Sequence, residues 1–593
     1  MHWLPLVAVA VLAAALRFFR IDAQSLWYDE GISAFQLTRT FPEILRAAAL
    51  DTHPPLYYWT LKAWADVFGS SELGLRSLSA VWGVLTVVLT WLLGRRLFGA
   101  GPAAIAGLLL AVAPLGVYYA QEVRMYTQVT ALALVAAYAY ARRTYWLYAL
   151  GAVLTLYSQY LGIAMLAALN LHALVWWRTQ TRRQWLMWLG ANAIVALTFL
   201  PWLPTFLDQQ NHSLNTSPRT ASGLALDTLQ AYGGGLVHND VVLGLGIVLV
   251  CLALLGFALR ADRAASSLAL LMWLVPLGLV LALGLRNGLF EVRYLVLSLP
   301  GMMLLAGVGI TRLTRFPALA AGFAAFLVVP AVGALTVQYF EPRLARDDYR
   351  GLVETITAEA QPSDAVVLSA PNQVEIFTYY YRGDLPLVPL PAQRPIDRDD
   401  TLRRLQALKS EHERIWLVNW AMNEADPPGV IQDWLAQNGF QATHQWYGTV
   451  QLALIGFSTG APAEQVNLAL DNGVTLESYQ LSSRTLQPGD ALGLTLAWQA
   501  SGPTAQRWKV FTHLLDSTTA VVAQRDAEPA DNLKPTTTWT PGERIEDNYG
   551  ILVPEGLPAG TYTLEIGMYS GDARAQFAGH GDHLVLGQVE VTR

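Results

Sequence analysis

Cysteine is all but missing: the 593 residues include one, Cys251, and it lies inside an apolar run. No disulfide can form within the chain, so any water-facing part is held by ordinary packed cores, and cysteine usage leaves the redox compartment open. Charge is scarce as well, at 14% of residues against 53% hydrophobic. With a mean hydropathy of +0.33, the chain is too apolar for a soluble protein and too mixed for one lying wholly in a bilayer. Internal repeats and low-complexity stretches are absent, which argues against a solenoid or a disordered tail.

Negative charge is missing from one part in particular. Residues 1–340 hold 13 of the 45 acidic side chains, whereas residues 341–593 hold the other 32 against 18 basic ones. A membrane part is therefore followed by an acidic, water-soluble tail of about 250 residues, room for one or two domains. Its surplus of 14 negative charges makes nucleic acid a poor partner.

Apolar runs long enough to cross a bilayer occur near 3–19, 77–94, 102–120, 125–141, 144–160, 161–177, 185–206, 240–259, 265–285, 294–311 and 316–338, which gives about eleven helices. Arg17 and Arg20 follow the first run and no small-residue cleavage pattern appears, so it reads as a retained span and not a signal peptide. The stretch 144–177 is expected to turn as a hairpin near Ser158-Gln159. Only then do Arg95/Arg96, Arg142/Arg143, Arg178/Arg182/Arg183, Arg260/Arg263 and Arg312/Arg315 share one side, as short cytoplasmic loops require. The prediction is an integral membrane protein of a bacterial plasma membrane, amino terminus cytoplasmic, with loops 20–76 and 207–239 and the tail extracytoplasmic. Asn211-His212-Ser213 and Asn215-Thr216-Ser217 would accept glycans only in a eukaryotic host.

Within the 20–76 loop, 31–49 and 55–68 space Phe35, Leu45, Leu56, Trp59 and Trp64 as amphipathic helices would. Past Phe340, 341–460 alternates strand-like runs (364–370, 414–420, 450–457) with helical stretches (400–410, 429–438), which reads as a small α/β domain. Residues 465–593 carry alternating runs at 491–500, 509–516 and 561–569 between turns such as Gln487-Pro488-Gly489, the pattern of a β-sandwich.

Chemistry concentrates in the 20–76 loop, where LWYDEGIS (26–33) is followed by DTHPPLYYW (51–59). Ionisable groups at a membrane face carry a desolvation cost and persist where they meet an ion, a polar substrate or each other. Asp29, Glu30, Asp51 and His53 include a base able to take a proton, or ligands for a divalent cation; Asp51 could touch an acceptor or a metal. Arg124, in YYAQEVRMY (118–126), and Arg293, in FEVRYL (290–295), are external arginines beside tyrosines, suited to phosphate oxygens. Together they fit a lipid-linked phosphate whose head group is displaced by an acceptor.

The order WYDE, HPPLYY, RSLSA (76–80), QEVRMY and VRYL over roughly 1–340 resembles the dolichyl-phosphate-mannose protein mannosyltransferases and their bacterial relatives, including the aminoarabinose transferases of lipid A. The resemblance implies a C-type glycosyltransferase fold, a polyprenyl-phosphate sugar donor, and inversion at the anomeric carbon. The acceptor would be a protein, lipid or envelope glycan. It further implies Asp29 as catalytic base, Glu30 supporting it or the acceptor, and His53 and Arg124 at the donor phosphate; Arg293 joins them chiefly on charge. Some relatives have a lysine before Pro-Pro with an acid before it, where this chain has His53 and Thr52, so the resemblance does not decide the metal, and a divalent cation stays open as a cofactor.

Plainer roles compete. Asp29 and Glu30 could cap a helix starting near Gly31, His53 could be a turn residue, and Arg124 and Arg293 could anchor membrane lipids. Tyr118, Tyr119 and Tyr126 fit an interfacial aromatic belt, and the remaining histidines, including His212, His238 and those of the tail, are expected to face solvent. The rival function is a transporter or flippase with a receptor-like tail. Transporters place charge near the bilayer midplane in repeated halves, whereas this chain places it at the outer rim and shows no halves. An inactive binding relative is the third reading.

Overall fold

Runs of Leu, Ala and Val without turn residues fold as helices in the computed structural model, which describes residues 3–211, 217–259, 262–313, 316–457 and 462–593. His212, Ser213, Asn215 and Thr216 of the acceptor tripeptides, and Arg260 and Arg315 of the basic clusters, lie outside the described residues. The chain divides into two compact units at Arg346/Asp347. The change of composition suggested Phe340; the helical unit keeps Glu341–Arg346 because Arg346 N donates to Gln24 Oε1 (3.0 Å) and its guanidinium lies 3.6 Å from Glu122.

The helical unit runs α1 (Leu4–Phe18), α2 (Tyr28–Phe35), α3 (Phe41–Leu50), α4 (Leu56–Phe68), α5 (Glu72–Phe98), α6 (Ala100–Val112), α7 (Pro114–Tyr118), α8 (Tyr126–Ala141), α9 (Tyr145–Ser158), α10 (Gly162–Val175), α11 (Arg182–Phe199), α12 (Leu203–Asn211), α13 (Ala221–Gly234), α14 (Asp240–Ala258), α15 (Arg263–Asn287), α16 (Leu299–Leu313) and α17 (Pro317–Phe340). Among the described residues six helices are long and apolar enough to cross a membrane, and the pair α6 and α7, bent by 61°, makes a seventh. α1 and α10 are apolar but shorter. The chain breaks between α9 and α10, at the position where a hairpin was expected. Phe326 (70% exposed) and Val329 (71%) on α17, and Leu197 (66%) on α11, point outward. Large apolar side chains so exposed are at home in hydrocarbon and a liability in water. Gly233 and Gly246 let α13 and α14 meet backbone to backbone, since a Cβ on either would strike a carbonyl of the other helix.

The helical unit also corrects the expectation for one histidine. His172 is buried inside it, with Tyr140 Oη 2.8 Å from Nδ1 and Ala264 O 2.9 Å from Nε2.

In the second unit, β1 (Ala365–Leu368), β2 (Leu387–Pro389), β3 (Arg414–Asn419), β4 (Gly439–Tyr447) and β5 (Val450–Phe457) form a sheet of order β2-β1-β3-β5-β4, parallel at β2-β1-β3 and antiparallel beyond. Helices α18 (Tyr349–Glu359), α19 (Gln373–Tyr380), α20 (Arg398–Glu411), α21 (Met422–Ala425) and α22 (Val430–Asn438) accompany it. The β-rich remainder has β6 (Glu464–Ala469), β7 (Val474–Leu481), β9 (Ala491–Ala500) and β12 (Arg544–Leu552) in one sheet. The other holds β8 (Thr485–Leu486), β10 (Lys509–Leu515), β11 (Val521–Ala527), β13 (Gly560–Ser570), β14 (Ala573–Arg574) and β15 (Leu584–Val591). Both sheets bury alternate residues, including Leu496 and Trp498 from one and Leu564, Ile566 and Met568 from the other, in a common core. His513 is not solvent-facing as expected of the tail histidines. It is 15% exposed, 3.3 Å from Glu565 and 3.7 Å from Asp526, and these acids pull its imidazole above the ordinary value.

Candidate active site

α2 has no Ser, Thr, Asn or Asp at its N-cap. Trp27 stands there, and Glu30, three residues on, reaches back so that Oε2 accepts from Trp27 N at 3.4 Å. Capping is thus one true role of Glu30, in a helix that starts at Tyr28 and not at Gly31. The larger role is ionic. Arg76, on the first turns of α5, donates from Nε to Glu30 Oε1 (2.8 Å) and from Nη2 to Oε2 (2.6 Å), and both side chains are fully buried. The same guanidinium donates to Ile21 O (2.9 Å), Gln24 O (2.7 Å) and Ser25 O (2.8 Å), so all five of its N–H groups are used. Val123 N adds a bond to Glu30 Oε1 at 2.9 Å. Glu30 therefore knots together α2, α5, the 21–25 segment and the loop that carries Arg124, and has no free oxygen for a substrate.

Asp29, one residue earlier, faces the other way and is 19% exposed. Its Oδ2 accepts from Arg293 Nη1 at 2.7 Å. Arg124, 4% exposed, donates from Nη1 to Asp29 O (3.2 Å) and to Ser33 Oγ (3.4 Å). Burial opposes ionisation of Asp29, but the charges of Arg124 and Arg293 and the hydrogen bond from Arg293 overcome it and hold the carboxyl below its ordinary value. Two donors at this spot are buried with no acceptor among the described residues: Arg124 Nε and Arg293 Nε. Orphan guanidinium N–H groups on either side of a carboxylate are costly unless an anion completes them.

α3 ends at Asp51, where Pro54 and Pro55 forbid its continuation and start α4. Asp51 Oδ2 accepts from Tyr58 Oη at 3.1 Å and lies 3.7 Å from His53 Nδ1. His53 Nε2 is 3.4 Å from Arg124 Nη2. Arginine can only donate, so Nε2 must accept and the proton sits on Nδ1, facing Asp51. Burial, opposed by Asp51 and aided by the Arg124 charge, holds the imidazole below its ordinary value and keeps it neutral. The structure thus brings Asp29, His53, Arg124 and Arg293 together, with Asp51 behind His53 and Glu30 behind the backbone. Tyr119 and Tyr126 are 6% and 3% exposed and pack edge-on, ring centres 5.5 Å apart; they line this region and do not form an outer belt. Tyr118 instead carries Arg346 over its ring at 4.8 Å.

Reading the sequence alone overlooked a second acid. Glu122, 1% exposed, has Arg346 at 3.6 Å and an Oε2 with no hydrogen-bond partner among the described residues. Burial outweighs the Arg346 charge and pushes its carboxyl up to about 7. For a divalent cation the fit is poor. No three His, Cys, Asp or Glu side chains converge among the described residues, Asp29 is answered by Arg293, and Asp51 by Tyr58 and His53.

A sequence model of the dolichyl-phosphate-mannose-protein mannosyltransferase family matches residues 52–204, the segment that holds His53, Arg76 and Arg124, so the family resemblance seen in the motifs is met. ArnT from Cupriavidus metallidurans in the apo state has the same fold: TM-score 0.54, 15% identity, 76% of this chain and 97% of that one covered. Its structure bound to undecaprenyl phosphate matches at TM-score 0.52 and 14% identity over 76% and 97%. A curated protein of Aquifex aeolicus (strain VF5), described as an uncharacterized protein, is 44% identical over 57 residues, 10% of this chain and 11% of its own length.

Proposed function

We propose that the chain is an integral-membrane glycosyltransferase that moves a sugar from a polyprenyl-phosphate donor to an acceptor hydroxyl or amine, with inversion. The observation that carries this reading is one ionised carboxylate, Asp29, between two arginines whose Nε–H groups lack acceptors. A donor phosphate supplies those acceptors. The likeness in fold to a protein bound to undecaprenyl phosphate supports a lipid-linked donor.

As phosphate oxygens engage Arg293, its hold on Asp29 loosens and the carboxylate regains basicity. Asp29 takes the proton of the acceptor while the acceptor atom bonds to the anomeric carbon from the face opposite the phosphate. The carbon–oxygen bond to phosphate breaks, its electron pair stays on the phosphate oxygen, and Arg124 and Arg293 stabilise the charge. Neutral His53 orients Arg124, and Glu30 fixes the frame. Eleven crossings, α1, α5, α6 with α7, α8 to α11 and α14 to α17, put the basic clusters inside and this site outside. The acceptor is a protein, a lipid or an envelope glycan.

Purified protein incubated with a panel of polyprenyl-phosphate sugars should release polyprenyl phosphate when an acceptor preparation is added. Movement of intact donor across vesicles without cleavage would favour a flippase instead.

A further inference from the structure

A cavity of about 340 Å³ lies inside the second unit, between the α/β sheet and the β-rich part, well within the size range of small-ligand sites. One wall is a charge network that cancels itself. Arg525 Nη2 donates to Asp531 Oδ1 (2.7 Å) and its Nη1 lies 3.0 Å from His444 Nδ1. With its amide turned to suit both neighbours, Gln441 donates to Asp531 Oδ2 (3.2 Å) and accepts from Arg525 Nη2 (2.8 Å). In that orientation the Gln441 oxygen also accepts from His444 Nδ1 at 2.9 Å, and burial and the Arg525 charge hold this imidazole below its ordinary value.

Another part of the lining is a side-by-side pair on neighbouring strands, Asn419 on β3 and Gln451 on β5. Asn419 Nδ2 donates to Gln451 Oε1 at 3.1 Å, which leaves Asn419 Oδ1 buried with no partner among the described residues. A buried carboxamide oxygen in that state costs stability unless something donates to it. Leu417, Leu435 and Ile455 complete the lining with apolar surface.

We infer that this cavity binds a neutral polyhydroxylated molecule, a saccharide unit. An anion would need an uncompensated cation, and Arg525 is already matched by Asp531. A cation would need a free surplus of acids; Asp531 is matched by Arg525, and Asp526, the other acid of the lining, lies 3.7 Å from His513. Carboxamides both donate and accept, as sugar hydroxyls do, and the apolar patch suits the C–H face of a pyranose. The site is separate from the Asp29 chemistry and stands whether or not the chain transfers sugars.

The test uses the full-length protein in a detergent without a sugar head group. Methyl mannoside, methyl glucoside, methyl galactoside, N-acetylglucosamine and inorganic phosphate are titrated by calorimetry against the parent, Asn419→Leu and Ala436→Phe, the last filling the cavity. At least one neutral sugar should bind the parent, and each variant should weaken it by about tenfold or more with the thermal unfolding profile kept. Phosphate binding without sugar binding, no sugar binding at all, or sugar binding that neither folded variant alters would each overturn the assignment.

Discussion

Arg293 donates from Nη1 to Asp29 Oδ2 at 2.7 Å, joining residues 264 positions apart in the chain. If that carboxylate is the base, Asp29→Asn keeps its shape and most of its hydrogen bonding but cannot accept a proton. Turnover should fall by at least about a hundredfold with donor binding largely kept. Near-normal turnover by Asp29→Asn would remove the proposed mechanism.

Arg124 touches Asp29 O, Ser33 Oγ and His53 while its Nε waits for an acceptor. Its replacement by Ala should weaken donor binding by about ten- to a hundred-fold, or roughly 1.5–3 kcal/mol. Unchanged donor affinity in folded protein would make it a lipid anchor.

Glu30→Gln leaves Arg76 buried without its counter-charge, a loss of about 3–5 kcal/mol for a broken buried pair. Melting temperature in detergent should drop markedly, and turnover should drop only in step with folding. Full stability with abolished turnover would instead bring Glu30 into the chemistry.

Glu122 offers a pH signature. Its folded carboxyl is pushed up to about 7 from an ordinary 4.5, so the native state holds the proton more tightly than the unfolded one. Its contribution is greatest at acid pH, declines from about pH 4.5 to about pH 7, and is flat above, by roughly 3 kcal/mol at most. Subtracting the melting temperatures of Glu122→Gln from those of the parent should leave a difference that falls across that window; a flat difference would show that the group does not titrate there.

The proposed orientation rests on the arginine clusters. In a Cys251→Ser background, cysteines placed at exposed Arg182 and Ser501 should react with an impermeant reagent from opposite faces. Labelling of both from outside would break the eleven-span arrangement.

Much of this was legible in the chain because it rests on local pattern. The strand 491–500 could be read to its ends, since alternation and flanking Pro/Gly turns mark it, and the break after Ser158 followed from charge sidedness. The residues that gather at the candidate site, Asp29, His53, Arg124 and Arg293, stood out as ionisable groups where charge is rare. What escaped was pairing. Nothing in spacing ties Arg76 to Glu30 or Arg346 to Glu122, although an arginine on the first turns of the 27-residue apolar α5 does demand a buried acid somewhere. The outer strands β6 and β11, half-exposed and polar, lack the apolar alternation that betrays inner ones.

Arg17, 1% exposed on α1, donates from Nη1 to Ala111 O (3.0 Å) and from Nη2 to Leu110 O (3.3 Å). Those carbonyls lie at the end of α6, where Pro114 and the bend into α7 deprive them of helical partners. The remaining acceptor of Arg17, Ala13 O at 3.2 Å, lies one turn back on α1, so the two that complete the set are synthesised more than ninety residues later. Before the α6 break exists the guanidinium has only Ala13 O of its own helix to bond, so α1 gains its full set of partners late, and a chain truncated before α6 should leave that helix incompletely seated.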